Sequence, residues 1–130
     1  MINGVHLLIY SRDAEADRAF LRDVLSFRSI DTGEGWLIFA LPPAELGVHP
    51  ARSNFVHPEG KQRLVGTVLY LMCDDVRALV ASLKRKRVKC ARVGKASWGL
   101  YTSIPLPSGA AIGLYQPTHP IAHDRRYVKP

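Results

Sequence analysis

The feature that most limits what this chain can fold into is an internal echo at a spacing of 62 residues. Gly4-Val5-His6-Leu7-Leu8-Ile9-Tyr10-Ser11-Arg12-Asp13 lines up with Gly66-Thr67-Val68-Leu69-Tyr70-Leu71-Met72-Cys73-Asp74-Asp75. Each run is apolar, opened by glycine and closed by aspartate. At the same shift Ala16, Ala19 and Leu21 meet Ala78, Ala81 and Leu83, and Trp36 meets Trp98. Two copies of one supersecondary unit bury their apolar faces best against each other, so the chain reads as two modules sharing a core.

Each module carries the same order of elements. Asp13 is placed to cap a helix whose apolar stripe is Ala16, Phe20, Leu21, Val24 and Leu25. Asp75 is placed to cap a second, with Val76, Leu79, Val80 and Leu83 as its stripe. Three strand candidates follow each helix, at 28–31, 36–41 and 45–49 and again at 89–93, 100–106 and 110–115. Gly33, Gly35, Pro42-Pro43, Gly94 and Pro107-Ser108-Gly109 supply turns between them. The spacing predicts an α+β fold: two βαβββ modules in tandem, forming a cupped sheet around a cavity. One domain would hold module one (about 1–50), a linker (51–63), module two (about 64–117) and a tail (118–130). A chain of 130 residues, 47% apolar, is long enough to bury such a core without disulfides.

Several phrases in this layout resemble those of the vicinal oxygen chelate superfamily, which includes glyoxalase I, bleomycin-resistance proteins and extradiol dioxygenases. They are the opening Gly4 to Asp13 run, the helix exit Ala19-Phe20-Leu21-Arg22-Asp23-Val24-Leu25-Ser26-Phe27, and the closing Ile112-Gly113-Leu114-Tyr115-Gln116-Pro117. Ser26 stands where the family phrase has glycine. The resemblance spans residues 4–117. It implies a cavity fed by the first and last strands of each module and, in metal-binding members, divalent-metal ligands at those strands. Carried onto this sequence, those positions are His6 and Glu45 in module one and Val68 and Gly113 in module two. Only the first pair keeps ligand chemistry, an incomplete set for a catalytic ion. His49 lies four residues beyond Glu45, roughly 13 Å along a regular strand, too far to share an ion with it.

Strand alternation places His6, Tyr10, Glu45, His49, Tyr70, Met72, Tyr101 and Tyr115 toward the cavity. These are the expected ligand-binding residues. Tyrosines around one space suit a planar or aromatic ligand, with hydroxyls to orient it. For His6 alone the plain alternative is a core histidine, and for Glu45 a solvated strand start. The leading expectation is a small-molecule-binding protein of the glyoxalase/bleomycin-resistance type with a degenerate metal site and no cofactor. The alternative is a lyase, isomerase or dioxygenase using nickel, zinc, manganese or iron at His6 and Glu45.

Charge and targeting narrow the rest. The net charge of +7 gathers in Lys84-Arg85-Lys86-Arg87 with Lys89, and in Arg125, Arg126 and Lys129. The first cluster falls at a helix end, where cations suit the macrodipole. No aromatics interleave with it and no zinc spacing accompanies it, so a nucleic-acid-interacting module is a second alternative only. No apolar run reaches membrane length and no signal peptide is evident, which points to a cytoplasmic protein with Cys73 and Cys90 as free thiols. Relatives by resemblance pair as dimers, so a homodimer is expected.

Overall fold

In a computed structural model of the chain the described residues are 6–48, 50, 55–56, 60–61, 63–64 and 66–121. The elements run α1 (Ala14–Asp23), β1 (Ser29–Asp31), β2 (Leu37–Phe39), β3 (Phe55–Val56), β4 (Arg63–Leu64), β5 (Tyr70–Met72), α2 (Val76–Arg85), β6 (Gly94–Ala96), β7 (Gly99–Pro105) and β8 (Ala111–Pro117). The architecture is α+β, with mixed sheets that stay open.

The helices keep the 62-residue spacing to the residue. Asp13 accepts a hydrogen bond from the Ala16 amide at 3.1 Å and Asp75 from the Ala78 amide at 3.0 Å, as helix caps do. Their exits differ in detail. At the end of α2 the Val88 amide reaches the Leu83 carbonyl (2.9 Å) and the Arg87 amide reaches Lys84 (3.0 Å), with Arg87 left-handed at φ 63°. That is a Schellman motif with arginine where glycine is usual. After α1 the Phe27 amide reaches back to Leu21 and the left-handed residue is Ser26, at φ 60°. The serine therefore occupies a backbone position that favours glycine.

Module two builds the main sheet, ordered β5-β8-β7-β6. β7 and β8 pair antiparallel over seven residues, from Gly99 opposite Pro117 to Pro105 opposite Ala111. β5 joins β8 in parallel, with α2 in the crossover. Val76, Leu83 and Val88 from α2 and its exit meet Ile104, Ile112 and Leu114 from the sheet and Leu106 from the turn after β7 in one buried cluster, to which α1 contributes Phe20. Asp17 of α1, only 3% exposed, accepts from Ser11 Oγ (2.7 Å), the Ser108 amide (3.0 Å) and Ser108 Oγ (2.7 Å). The Lys86 ammonium donates to the Val24 carbonyl at 3.2 Å, capping the far end of α1. These bonds tie module one's helix to module two.

Module one departs from the expected pattern. Residues 6–11 and 45–48 form no ladder, and among the described residues this half keeps only the three-pair β1–β2 hairpin. A strand needs a partner for its backbone, and here the apolar side chains of these runs face solvent: Leu46 and Val48 are 90% and 92% exposed. The strand expected at 89–93 begins instead at Gly94, which the sequence marks as a turn. The segment read as a linker holds β3 and the first residue of β4, which pair antiparallel with Phe55 opposite Leu64. His49 lies outside the described residues.

Candidate functional site

The sheet of module two has a helix-covered face and an open, concave one. Alternation along β7 buries Thr102 and Ile104 under α2 and turns Tyr101 and Ser103 the other way. Along β8, Ile112 and Leu114 are buried while Gly113 and Tyr115 face the open side. Tyr70 pairs with Gly113 and Met72 with Tyr115, so four of the expected residues, Tyr70, Met72, Tyr101 and Tyr115, share this face.

Two glycines decide where the tyrosine rings lie. A Cβ on Gly113 would come within 2.6 Å of Tyr70 Cε1, and one on Gly94 within 2.6 Å of Tyr101 Cζ. Each ring therefore lies across a position without a side chain, covering bare backbone as aromatic residues do beside strand glycines. Trp98, in the tight turn between β6 and β7, joins them: its ring centroid is 5.2 Å from Tyr101, 5.4 Å from Tyr115 and 5.9 Å from Tyr70. Tyr70 meets Tyr115 edge to face at 5.6 Å. Such pairs prefer tilted and edge contacts, worth about 1 kcal/mol each beyond burial. Beside them is a cavity of about 330 Å³, lined by Val68, Tyr70, Arg92, Tyr101, Ser103 and Gly113 among others.

At the Tyr115 end the aromatic patch becomes polar. The Tyr115 hydroxyl donates to Glu45 Oε1 at 3.4 Å and lies 3.1 Å from His119 Nε2, whose ring stacks on its own. His119 Nε2 is 3.8 Å from Glu45 Oε1. His119 Nδ1 is 2.8 Å from the Pro120 carbonyl. Burial, then the charge and hydrogen bond of Glu45, push the Tyr115 phenol above its ordinary pKa. Sequence reasoning assigns His119 to the tail and misses it. What brings it in is Thr118, whose amide donates to Trp98 O (3.0 Å) and whose hydroxyl donates to Ser97 O (3.1 Å).

The remaining candidates are scattered. His6 and Tyr10 are exposed, on the run that forms no ladder. Glu45 reaches the concave face through Tyr115 and His119. Of the four positions where the resemblance places metal ligands, Val68 and Gly113 carry no donor atom, and Tyr70's ring covers the second. Among the described residues no three His, Cys, Asp or Glu side chains come together. The donors that the described residues bring together at these positions fall short of the three protein ligands a catalytic divalent ion takes. Burial raises the pKa of both free thiols, Cys73 and Cys90, with Asp74 and Asp75 adding to the effect on Cys73.

No protein-family model matches the sequence, and no curated protein matches it. Solved structures do. TnmS3, an antibiotic binding protein from Streptomyces sp. CB03234, superposes with a TM-score of 0.61 at 25% identity, over 90% of this chain and 98% of that one. This chain carries the vicinal oxygen chelate fold. A glyoxalase/bleomycin resistance protein from the same Streptomyces strain agrees with this vicinal oxygen chelate assignment at a TM-score of 0.52 and 24% identity, over 82% of this chain and 93% of that one. Lactoylglutathione lyase from Agrobacterium tumefaciens gives 0.52 at 18% identity, over 83% and 88%. The vicinal oxygen chelate fold anticipated from the phrase order is thus found in three dimensions. Among the described residues no helix is long and apolar enough to cross a membrane.

Proposed function

We propose that this protein binds a small planar, aromatic molecule on the concave face of module two, without metal chemistry. The observation that carries the reading is the patch of Tyr70, Trp98, Tyr101 and Tyr115 gathered on one open sheet face, with two rings lying across Gly113 and Gly94. An aromatic cluster of tilted and edge-on rings beside a cavity of about 330 Å³ offers ring faces and edges to a flat guest, and the Glu45–Tyr115–His119 group offers a polar anchor at its edge. Likeness to an antibiotic binding protein supports a small-molecule ligand. His6, Tyr10, Met72 and His49 are the outer candidates for contact from module one and the rim.

The test is calorimetric titration with a panel of fused-ring aromatics and saturated analogues of equal size. Preference for the aromatic compounds, lost in Tyr101→Ala, is expected; equal binding of both sets defeats the reading. Addition of nickel, zinc, manganese or iron should leave the melting temperature unchanged. Stabilisation that disappears in both His6→Ala and Glu45→Ala would favour the metal-dependent enzyme instead.

The same proposal covers assembly. Leu8, Ile9, Leu46 and Val48 expose apolar surface on runs without ladder partners. A second copy of the chain, pairing these runs about a two-fold axis, would cover them. Light scattering should report a homodimer, and a monomer at micromolar concentration overturns this part. Such a protein, with paired modules and free thiols, suits the cytoplasm.

A further inference from the structure

We infer that the concave face selects planar aromatic anions, and that Arg92 is the residue that selects them. The inference rests on the aromatic-binding reading and adds the charge of the ligand to it. Val93 packs against the core, so its neighbours Arg92 and Gly94 turn to the opposite side of the sheet. Gly94 lies under the Tyr101 ring, which places that side as the concave one. The Ala91 amide still reaches the Ser103 carbonyl at 3.1 Å, so the chain is held to β7 as it passes Arg92. Arg92 accordingly lines the same cavity as Tyr70, Tyr101 and Ser103.

Among the described residues no hydrogen bond or ion pair engages this guanidinium. No carboxylate among the described residues forms an ion pair with it; Asp23 is taken by Arg22, and Glu45 lies beside His119. Glu45, the acid on this face, is bound up with Tyr115, whose partners across the sheet are Tyr101 and Met72. A guanidinium presents a planar fork that matches a carboxylate through two parallel hydrogen bonds. Placed at the rim of a tyrosine floor, it suits a flat ring system bearing a carboxylate or similar anionic group, with the Ser103 hydroxyl as a further donor. The net charge of +7 draws such an anion toward the protein.

The experiment uses three fused-ring probes of one shape: 2-naphthoate, neutral 2-naphthamide and 2-naphthylmethylammonium, titrated calorimetrically at low salt into the full chain. The anion is expected to bind at least about tenfold tighter than the amide, with the ammonium weakest. Arg92→Gln should weaken 2-naphthoate far more than the amide and so remove the preference between them, while Arg92→Lys should restore part of the preference. Equal affinities for anion and amide, or a preference that survives Arg92→Gln, would overturn the role of Arg92 and leave the aromatic site standing. Failure of all three probes to bind would defeat the aromatic site and this inference together.

Discussion

Helices α1 and α2 are each ten residues long, each capped by an aspartate and each followed by a hairpin, but the two hairpins meet different fates. After α2 the turn between β6 and β7 holds only Ser97 and Trp98, and β7 continues for seven residues against β8. After α1 the loop at 32–36 is longer. Asp31 accepts from the Gly33 amide (2.8 Å), Glu34 and Gly35 are left-handed, and β1–β2 stops after three pairs. The repeated tryptophans separate with them. Trp98 sits among three tyrosines, whereas Trp36 stays exposed with the Arg18 guanidinium 4.6 Å above its ring. The difference teaches that a shared plan does not share out the core. The module that completes a four-stranded sheet owns both the packed interior and the aromatic face, because a two-stranded hairpin alone cannot shield an apolar side.

The comparison breaks or sharpens most decisively at two isoleucines, one from a strand of each module. Ile104→Ala in β7, fully buried, should cost about 4 kcal/mol in urea unfolding. Ile30→Ala in β1, where the side chain is 66% exposed, should stay within about 0.5 kcal/mol. Equal costs would refute the unequal division of the core. Next, Asp17→Ala removes the acceptor for both Ser108 donors and Ser11, and should cost about 2 kcal/mol by the same measurement. Asp17→Asn, which keeps an acceptor oxygen, should cost less.

The helix exits supply a smaller, opposite effect. Ser26→Gly and Arg87→Gly each relieve a left-handed non-glycine residue and should raise stability by about 0.5 kcal/mol. The last prediction concerns pH. Folding holds the Tyr115 proton more tightly than the unfolded chain does, since its pKa is raised from 10.0. The resulting stability is fully present below pH 10 and is lost as pH rises through the folded value. Chemical denaturation between pH 9 and 11 should show that decline, and Tyr115→Phe should flatten it.

How much of this was legible in the sequence depends on whether the cause was local. Both helices could be read because aspartate caps and apolar stripes act within a few residues. The β7–β8 hairpin could be read because Pro107-Ser108-Gly109 makes a local turn, with Gly109 at φ 93° and its amide on the Leu106 carbonyl. Ser26 was visible as a departure from glycine, and its backbone explains the preference. The missing ladders at 6–11 and 45–48 were not legible, since their apolar alternation fits a strand whether or not a partner comes near. Tyr70, Met72, Tyr101 and Tyr115 came together because alternation is local and β5, β7 and β8 form. His119 escaped because its placement depends on Thr118 meeting Ser97 and Trp98, about twenty residues away in sequence and without any periodic mark.

The bare backbone under Tyr70 and Tyr101 also makes the receptor tunable from beneath. A single methyl added at residue 94 or 113 would jack the overlying ring upward, shrinking the space above it while leaving every atom that meets a guest chemically the same. Such changes would alter which guests fit by their thickness rather than by their polarity. Two positions beneath the rings thereby act as the gauge of the vessel.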